Sequence, residues 1–103
     1  MSDNFKQAPY TTVKCGELQG SATALQLPNI QCSMVRFTTL KTNVGNVYLG
    51  GSGVTKPDGT TDVTSGLQLI PGSDSGWISA RNLNIFYRIC DNAADHMTYL
   101  AME

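Results

Sequence analysis

Apolar and polar residues alternate along most of the chain in short runs, which turn residues interrupt at intervals of about ten positions. Alternation with a period of two gives a β-strand one apolar face, and no window carries the sustained apolar spacing of a helix. The runs predict eight short strands: Thr11–Cys15, Ala22–Leu27, Gln31–Leu40, Asn46–Leu49, Gly66–Ile70, Gly76–Ala80, Leu83–Cys90 and Met97–Met102. Eight strands can form two packed sheets with a shared core, so the pattern predicts an all-β, single-domain β-sandwich that is jelly-roll-like.

The longest predicted strand, Gln31–Leu40, is apolar on both faces, which predicts a central strand, a bulge, or a second face that something covers. Its apolar residues are Val35 and Phe37 on one face, and Cys32 and Met34 on the other. In the seventh strand the apolar residues in phase, expected to face the core, are Leu83, Ile85, Tyr87 and Ile89. A single helical turn is predicted within Asp91–His96.

The chain has 103 residues, which fits one compact domain. Residues 1–9 are polar and end at Pro9, so we expect an N-terminal arm followed by a β-sandwich domain over residues 10–103. This arm is expected to be either disordered or laid on a partner, and in the second case we expect contacts around Phe5 in the arm and Tyr10 directly after it.

The charge and hydropathy of the chain indicate that it binds neither nucleic acid nor a membrane. Charged residues make up 15% of the chain, the net charge is −1 and the pI is about 5.7. Such a chain has no basic field to attract nucleic acid or an anionic membrane surface. No apolar run approaches the ~20 residues of a membrane span, and the N-terminus lacks the apolar core of a signal peptide, so we expect a soluble protein.

The cysteines are three in number, Cys15, Cys32 and Cys90, and they form no C-x-x-C motif. An odd and widely spaced set predicts reduced thiols in a protein made in a cytosol, and a single disulfide stays open as an alternative.

A glycine-rich stretch, "VYLGGSGVTKPDG" over residues 47–59, raises the question of a phosphate-binding loop. Such a loop requires a helix directly after the glycines, because the free N–H groups of the helix hold the anion. The residues that follow start no helix. We therefore interpret the glycines as the place where a strand ends, with positive φ angles that glycine tolerates.

Candidate metal and catalytic residues have simpler interpretations. Asp58 and Asp62 lack the alternating ligand pattern of a calcium loop, and a Pro-Asp-Gly turn explains Asp58. His96, the one histidine, lacks a nucleophile motif, so we expect it to face solvent in a turn before the last strand. Asp91 and Asp95 are expected to be solvated or capping residues of a polar turn. The sequence thus predicts no catalytic residue, no cofactor and no metal.

Aromatic residues could stack on sugars if they were exposed. Tyr48, Tyr87 and Tyr99 each lie within an apolar alternation, where burial in the core is the default. Trp77 lies between Ser75-Gly76 and Ser79, which could place it at a strand edge.

Six short segments occur in an order that resembles a group of small structural proteins of tailed bacteriophages. These segments are "CSMVRF", "NVYLGGSGVT", a polar loop with Asp58-Gly59, "GLQLIPGSD", "NLNIFY" and "MTYLAM". The similarity covers about Ile30 to Ala101, and the chain departs from the pattern in its longer loop "KPDGTTDVTSG". The resemblance implies a compact β-sandwich that serves as a non-enzymatic virion component.

On this resemblance we expect a virion protein made in the bacterial host cytoplasm. Its first expected role is that of a capsid decoration or cement protein, which binds the major capsid protein or another virion protein and forms a homo-oligomer such as a trimer. The alternative is a tail- or fibre-associated module that binds a host receptor or glycan. The candidate partner-binding residues are Phe5, Tyr10, Lys56, Asp58, Asp62, Trp77 and His96.

Overall fold

The structure, a computed structural model, describes residues 11–103; the expected arm over residues 1–9, which includes Phe5, and the following Tyr10 lie outside the described residues. The described part contains eight strands: β1 Val13–Gln19, β2 Leu25–Gln26, β3 Met34–Thr39, β4 Val47–Gly50, β5 Leu67–Leu69, β6 Asp74–Ser79, β7 Tyr87–Cys90 and β8 His96–Met102. A short 3₁₀ helix, Leu83–Ile85, precedes β7. The helical turn predicted within Asp91–His96 is wrong, because residues 91–95 form turns without a helix.

The strands form two antiparallel sheets of four strands each. Sheet A has the order β1-β8-β3-β6 and sheet B has the order β2-β7-β4-β5. The pairs β1·β8, β2·β7, β3·β6 and β4·β5 are those of one long hairpin that has been wrapped into two layers. This is the jelly-roll arrangement, so the predicted β-sandwich is confirmed.

The core lies between the two sheets, where the inward residues of alternating strands meet. Val35 and Phe37 of β3 are completely buried, as their spacing predicts. The ring of Phe37 meets that of Phe86 edge to face, with centroids 5.2 Å apart. The remaining buried apolar residues of this core are Leu27, Cys32, Val47, Leu49, Leu69, Leu83, Cys90, Met97 and Ala101.

The seventh strand differs from its predicted phase. Asn82 caps the 3₁₀ helix through its side chain, which accepts a hydrogen bond from the Asn84 N–H. This turn shifts the alternation by one residue, so Arg88 and Cys90 of β7 are buried. Leu83 is buried as predicted, but the core positions predicted for the other three residues are wrong. Ile85 is exposed, and Tyr87 and Ile89 lie half-buried on the outer face of sheet B.

Two of the features predicted from the apolar second face of β3 are present in the structure. β3 is a central strand of sheet A, and its partner β6 carries a bulge in which Ser75 and Gly76 lie opposite Phe37. Gly76 has φ +74°, a conformation that favours glycine, and Ser75 Oγ accepts the Phe37 N–H at 2.9 Å. Met34 lies half-buried on the outward face, whereas Cys32 precedes the strand and is buried.

Candidate functional site

The glycine-rich loop after β4 is a turn that covers part of sheet B. Gly53 has φ +78°, as expected where a strand gives way to a loop. Val54 then folds back and is buried between Gly50 and Gly66, where any side chain at either glycine would collide with it. The interpretation of this stretch as a strand end is confirmed.

Lys56 anchors the same loop to the β7–β8 turn. Its Nζ lies 3.8 Å from Asp91 Oδ1, and the other oxygen of Asp91 accepts hydrogen bonds from the Tyr48 hydroxyl and the Asn46 N–H. Tyr48 is buried, although it lies on the outer face of sheet B. Lys56 therefore belongs to an internal contact between two loops.

Asp58 and Asp62 lie in the exposed tip of this loop and bond within it. Asp58 Oδ1 accepts from both the N–H and the hydroxyl of Thr60, at 3.0 and 2.6 Å, and these bonds lower the pKa of the carboxyl group. Gly59 has φ +89°, so the Pro-Asp-Gly turn explains Asp58 as expected. Among the described residues, the Asp62 carboxyl group accepts only from the Thr64 hydroxyl, and the Asp62 carbonyl accepts the Ser65 N–H at 3.2 Å.

His96 and Asp95 differ from their predicted environments. His96 is the first residue of β8 rather than a turn residue, and its Nδ1 lies 2.5 Å from Glu17 Oε2 on β1. Asp95 is 4% exposed, and its two oxygens accept the N–H groups of Val44 and Gly45 at 2.9 and 2.8 Å. It is not solvated, because it holds the β3–β4 turn against the start of β8.

Residues 11–103 form no pocket, and within them no three His, Cys, Asp or Glu side chains come together in a metal-binding group. No helix in this part of the chain is long and apolar enough to cross a membrane. All three cysteines are free thiols; Cys15 is exposed and the other two are buried. Burial raises the pKa of both Cys32 and Cys90.

A broad, weakly charged surface lies on the solvent side of sheet A. We call it the outer face of sheet A; its principal side chains are Val13, Cys15, Met34, Arg36, Trp77, Leu100 and Met102, and the Glu17–His96 pair lies on the same face. Strand register places four of them in one row across all four strands, in the order Cys15, Leu100, Arg36 and Trp77. Val13, Trp77 and Leu100 are 62%, 42% and 38% exposed, respectively.

The charge on this face is neutralised locally. The Arg36 side chain donates to Asp74 Oδ2, and this bond holds the pKa of the Asp74 carboxyl group below its ordinary value. The guanidinium carbon of Arg36 also lies 6.0 Å from the centre of the Trp77 ring, at the limit of a cation–π contact. The face thus presents Trp, Met and Leu with no net charge from this pair, and Trp, Met and Arg are enriched in protein interfaces.

The predicted site residues that lie within residues 11–103 do not form one cluster. Trp77 lies on the edge strand of sheet A, a position that its flanking residues allow, and His96 lies on the same face in β8. Lys56, Asp58 and Asp62 lie in the loop over sheet B. The remaining side chains of the outer face are not among the residues that the sequence pattern indicated. A signal was present in β3 and β8, where apolar residues occupy both faces.

No protein-family model matches the chain, and comparisons with curated proteins and with solved structures find no match.

Proposed function

We propose that the chain is a non-enzymatic structural protein of a tailed-phage virion that decorates the capsid shell and stabilises it. The order of short segments that resembles phage structural proteins supports the virion role. The jelly roll is compatible with it, since this fold recurs in viral capsid domains and in lectins. The observation that carries the proposal is the exposed outer face of sheet A.

This face suits a protein partner better than a nucleic acid or a small molecule. Its Trp77 and Leu100 side chains are exposed although they are apolar, and its one arginine is already paired with Asp74. An apolar centre with few free charges is typical of the buried middle of a protein interface. We infer that the major capsid protein covers this face.

Docking against many identical capsid subunits would also compensate for a small core. A domain of this size gains stability from any partner that binds only its folded state. Because the capsid lattice repeats, the same contact is made at every equivalent position. A contact that is weak in a single pair can then hold each copy on the shell when copies are linked or crowded.

The test is an add-back experiment with phage capsids that lack this protein. The variants Trp77→Ala and Leu100→Thr each remove one exposed apolar side chain from the outer face of sheet A. Ile85→Thr is the matched control, since Ile85 is 57% exposed but lies in the 3₁₀ helix outside this face. We expect saturable binding of wild type and the control, and at least tenfold weaker binding of the other two.

The second candidate function is a tail- or fibre-associated module that binds a host receptor or glycan. One observation favours it: the indole of Trp77 is exposed on an edge strand, where a sugar ring could stack on it. Binding of the purified protein to host cells but not to capsids, with loss of binding in Trp77→Ala, would overturn the decoration role in favour of this one.

A further inference from the structure

The β1 strand is the one long, regular sheet edge in the described residues. The other three edge strands are short or interrupted: β2 has two residues, β5 has three, and β6 carries the bulge at Gly76. In contrast, β1 has seven residues, contains no proline and pairs without a register shift. Natural proteins shorten or distort exposed edges to prevent strand addition, so an intact edge is available for pairing.

The direction of the main-chain groups of β1 follows from its bonds to β8. Thr12 and Glu103 exchange two N–H···O bonds of 2.9 Å, and at the other end the Gly20 N–H donates to the Asp95 carbonyl. Antiparallel strands alternate between groups that face the partner and groups that face away. The even-numbered residues of β1 therefore bond to β8.

The odd-numbered residues of β1 direct their N–H and C=O groups to the open side. Gln19 demonstrates this direction, because its carbonyl accepts the Nε–H of Arg88 from sheet B at 2.9 Å. For Val13, Cys15 and Glu17, the six main-chain groups have no hydrogen-bond partner among residues 11–103.

These six main-chain groups can pair with the same six groups of a second β1 strand. When a second β1 is placed antiparallel with a twofold axis at Cys15, Val13 lies opposite Glu17 of the second copy and Cys15 lies opposite its equivalent. All six open groups of each strand then pair, which gives six N–H···O bonds. The charged side chains of β1 do not oppose this approach, because Lys14 is paired with Glu103 and Glu17 with His96.

We propose that β1 pairs with β1 of a second copy of this chain, which joins two copies of sheet A into one continuous eight-stranded sheet. The proposal does not depend on the virion role, and its dimer differs from the trimer considered on the basis of the sequence. Pairing of two strand edges brings mainly main-chain groups together, whereas a stable interface buries roughly 1,000 Å² or more, so we expect a weak dimer that forms at high protein concentration.

Cys15→Pro tests the pairing. The Cys15 N–H faces the open side, so proline removes a donor that the β1–β8 ladder does not use, and edge strands tolerate proline at such positions. Cys15→Ser is the matched control because it changes the side chain and keeps the N–H. Glu17→Pro removes the neighbouring open donor in the same way, in case Cys15→Pro does not fold.

The measurement is sedimentation equilibrium of the full-length chain over concentrations up to about 1 mM, where a weak contact is populated. Circular dichroism verifies the fold of each variant. We expect wild type and Cys15→Ser to dimerise, and a folded proline variant to lose at least tenfold in dimer affinity. A wild-type chain that remains monomeric throughout, or a folded proline variant that dimerises normally, would overturn the proposal.

A third variant separates the edge from the outer face of sheet A. Leu100→Thr leaves every main-chain group of β1 in place, and we expect its dimerisation to be unchanged. If Leu100→Thr abolishes dimerisation and the proline variants do not, the copies associate through the face, which contradicts pairing through β1.

Discussion

Replacing Asp95 with alanine removes the carboxylate that joins the β3–β4 turn to the end of the β7–β8 turn. Asp95 is 4% exposed, and its oxygens accept two main-chain N–H groups, those of Val44 and Gly45. Alanine keeps the main-chain bond in which the Asp95 carbonyl accepts the Gly20 N–H. The substitution therefore isolates the contribution of the side chain.

The expected decrease in the free energy of unfolding follows from the two hydrogen bonds that the substitution removes. A hydrogen bond to a charged acceptor contributes about 1.5–3 kcal/mol. Val44 is 81% exposed and Gly45 is half-buried, so water can partly replace the carboxylate at both N–H groups, and the lower value applies to each bond. We expect a loss of about 3 kcal/mol, a large fraction of the roughly 5–15 kcal/mol by which domains of this size are stable. Asp95→Asn keeps one acceptor oxygen, and we expect a loss of about 2 kcal/mol.

Urea denaturation followed by circular dichroism measures this loss. With an m-value of about 2 kcal/mol/M, the midpoint for Asp95→Ala should fall by about 1.5 M. Asp62→Ala is the control, because Asp62 is exposed and its carboxyl group bonds only to the Thr64 hydroxyl among the described residues; its change should stay within about 0.5 kcal/mol. An Asp95→Ala midpoint that matches the control would refute the assignment of Asp95 as a buried anchor.

Four further predictions test the packing of buried groups. Arg88→Ala should cost about 2–4 kcal/mol in urea denaturation, because it leaves two carbonyls from opposite sheets without their shared donor, and a loss below 1 kcal/mol would contradict this. Gly20→Ala should cost about 1–3 kcal/mol, since its Cβ would lie 2.8 Å from a main-chain oxygen, whereas Gly51→Ala, with open space around it, should be neutral. A thiol reagent should label Cys15 alone in the folded protein and all three cysteines in urea; fast labelling of a second thiol before unfolding would contradict the burial of Cys32 or Cys90. Burial raises the pKa of the Cys90 thiol above its ordinary value of 9.0. The stability that depends on the neutral thiol is therefore complete below about pH 9, and it should be lost as the pH rises through the folded-state pKa. In Cys90→Val, the free energy of unfolding should fall less steeply with pH in this alkaline range.

The alternation of apolar residues was sufficient to predict the eight strands and the two-layer architecture. Burial of one face fixes the phase of a strand, and this worked best in β3, where Val35 and Phe37 are fully buried. Local turn chemistry was also readable. The predicted Pro-Asp-Gly turn is present, with Gly59 at φ +89° and Asp58 Oδ1 accepting the Thr60 N–H at 3.0 Å.

The side chains whose environments the sequence did not predict interact with residues that are distant along the chain. Arg88 is buried because carbonyls of Gln19 and Gln26 receive its guanidinium, and neither is recognisable from the residues around it. Asp95 is buried because a turn about 50 positions away presents two N–H groups to it. Sequence periodicity identifies which residues share a face but not what lies opposite them.

The outer face of sheet A was missed for a related reason. Apolar residues on both faces of β3 and β8 indicated that the second face was unusual. Whether such a face is covered by the same chain depends on the path of the loops. In the described residues the long loop after β4 covers sheet B, through Val54 and Lys56, and leaves the side chains of sheet A exposed.

Image reconstruction of the intact phage particle that carries this protein is the most direct test of the proposed role. The account predicts jelly-roll density on the capsid exterior, with Trp77 and Leu100 directed at the major capsid protein. Density confined to the tail or its fibres, or jelly-roll density on the capsid with these two side chains facing solvent, would contradict it.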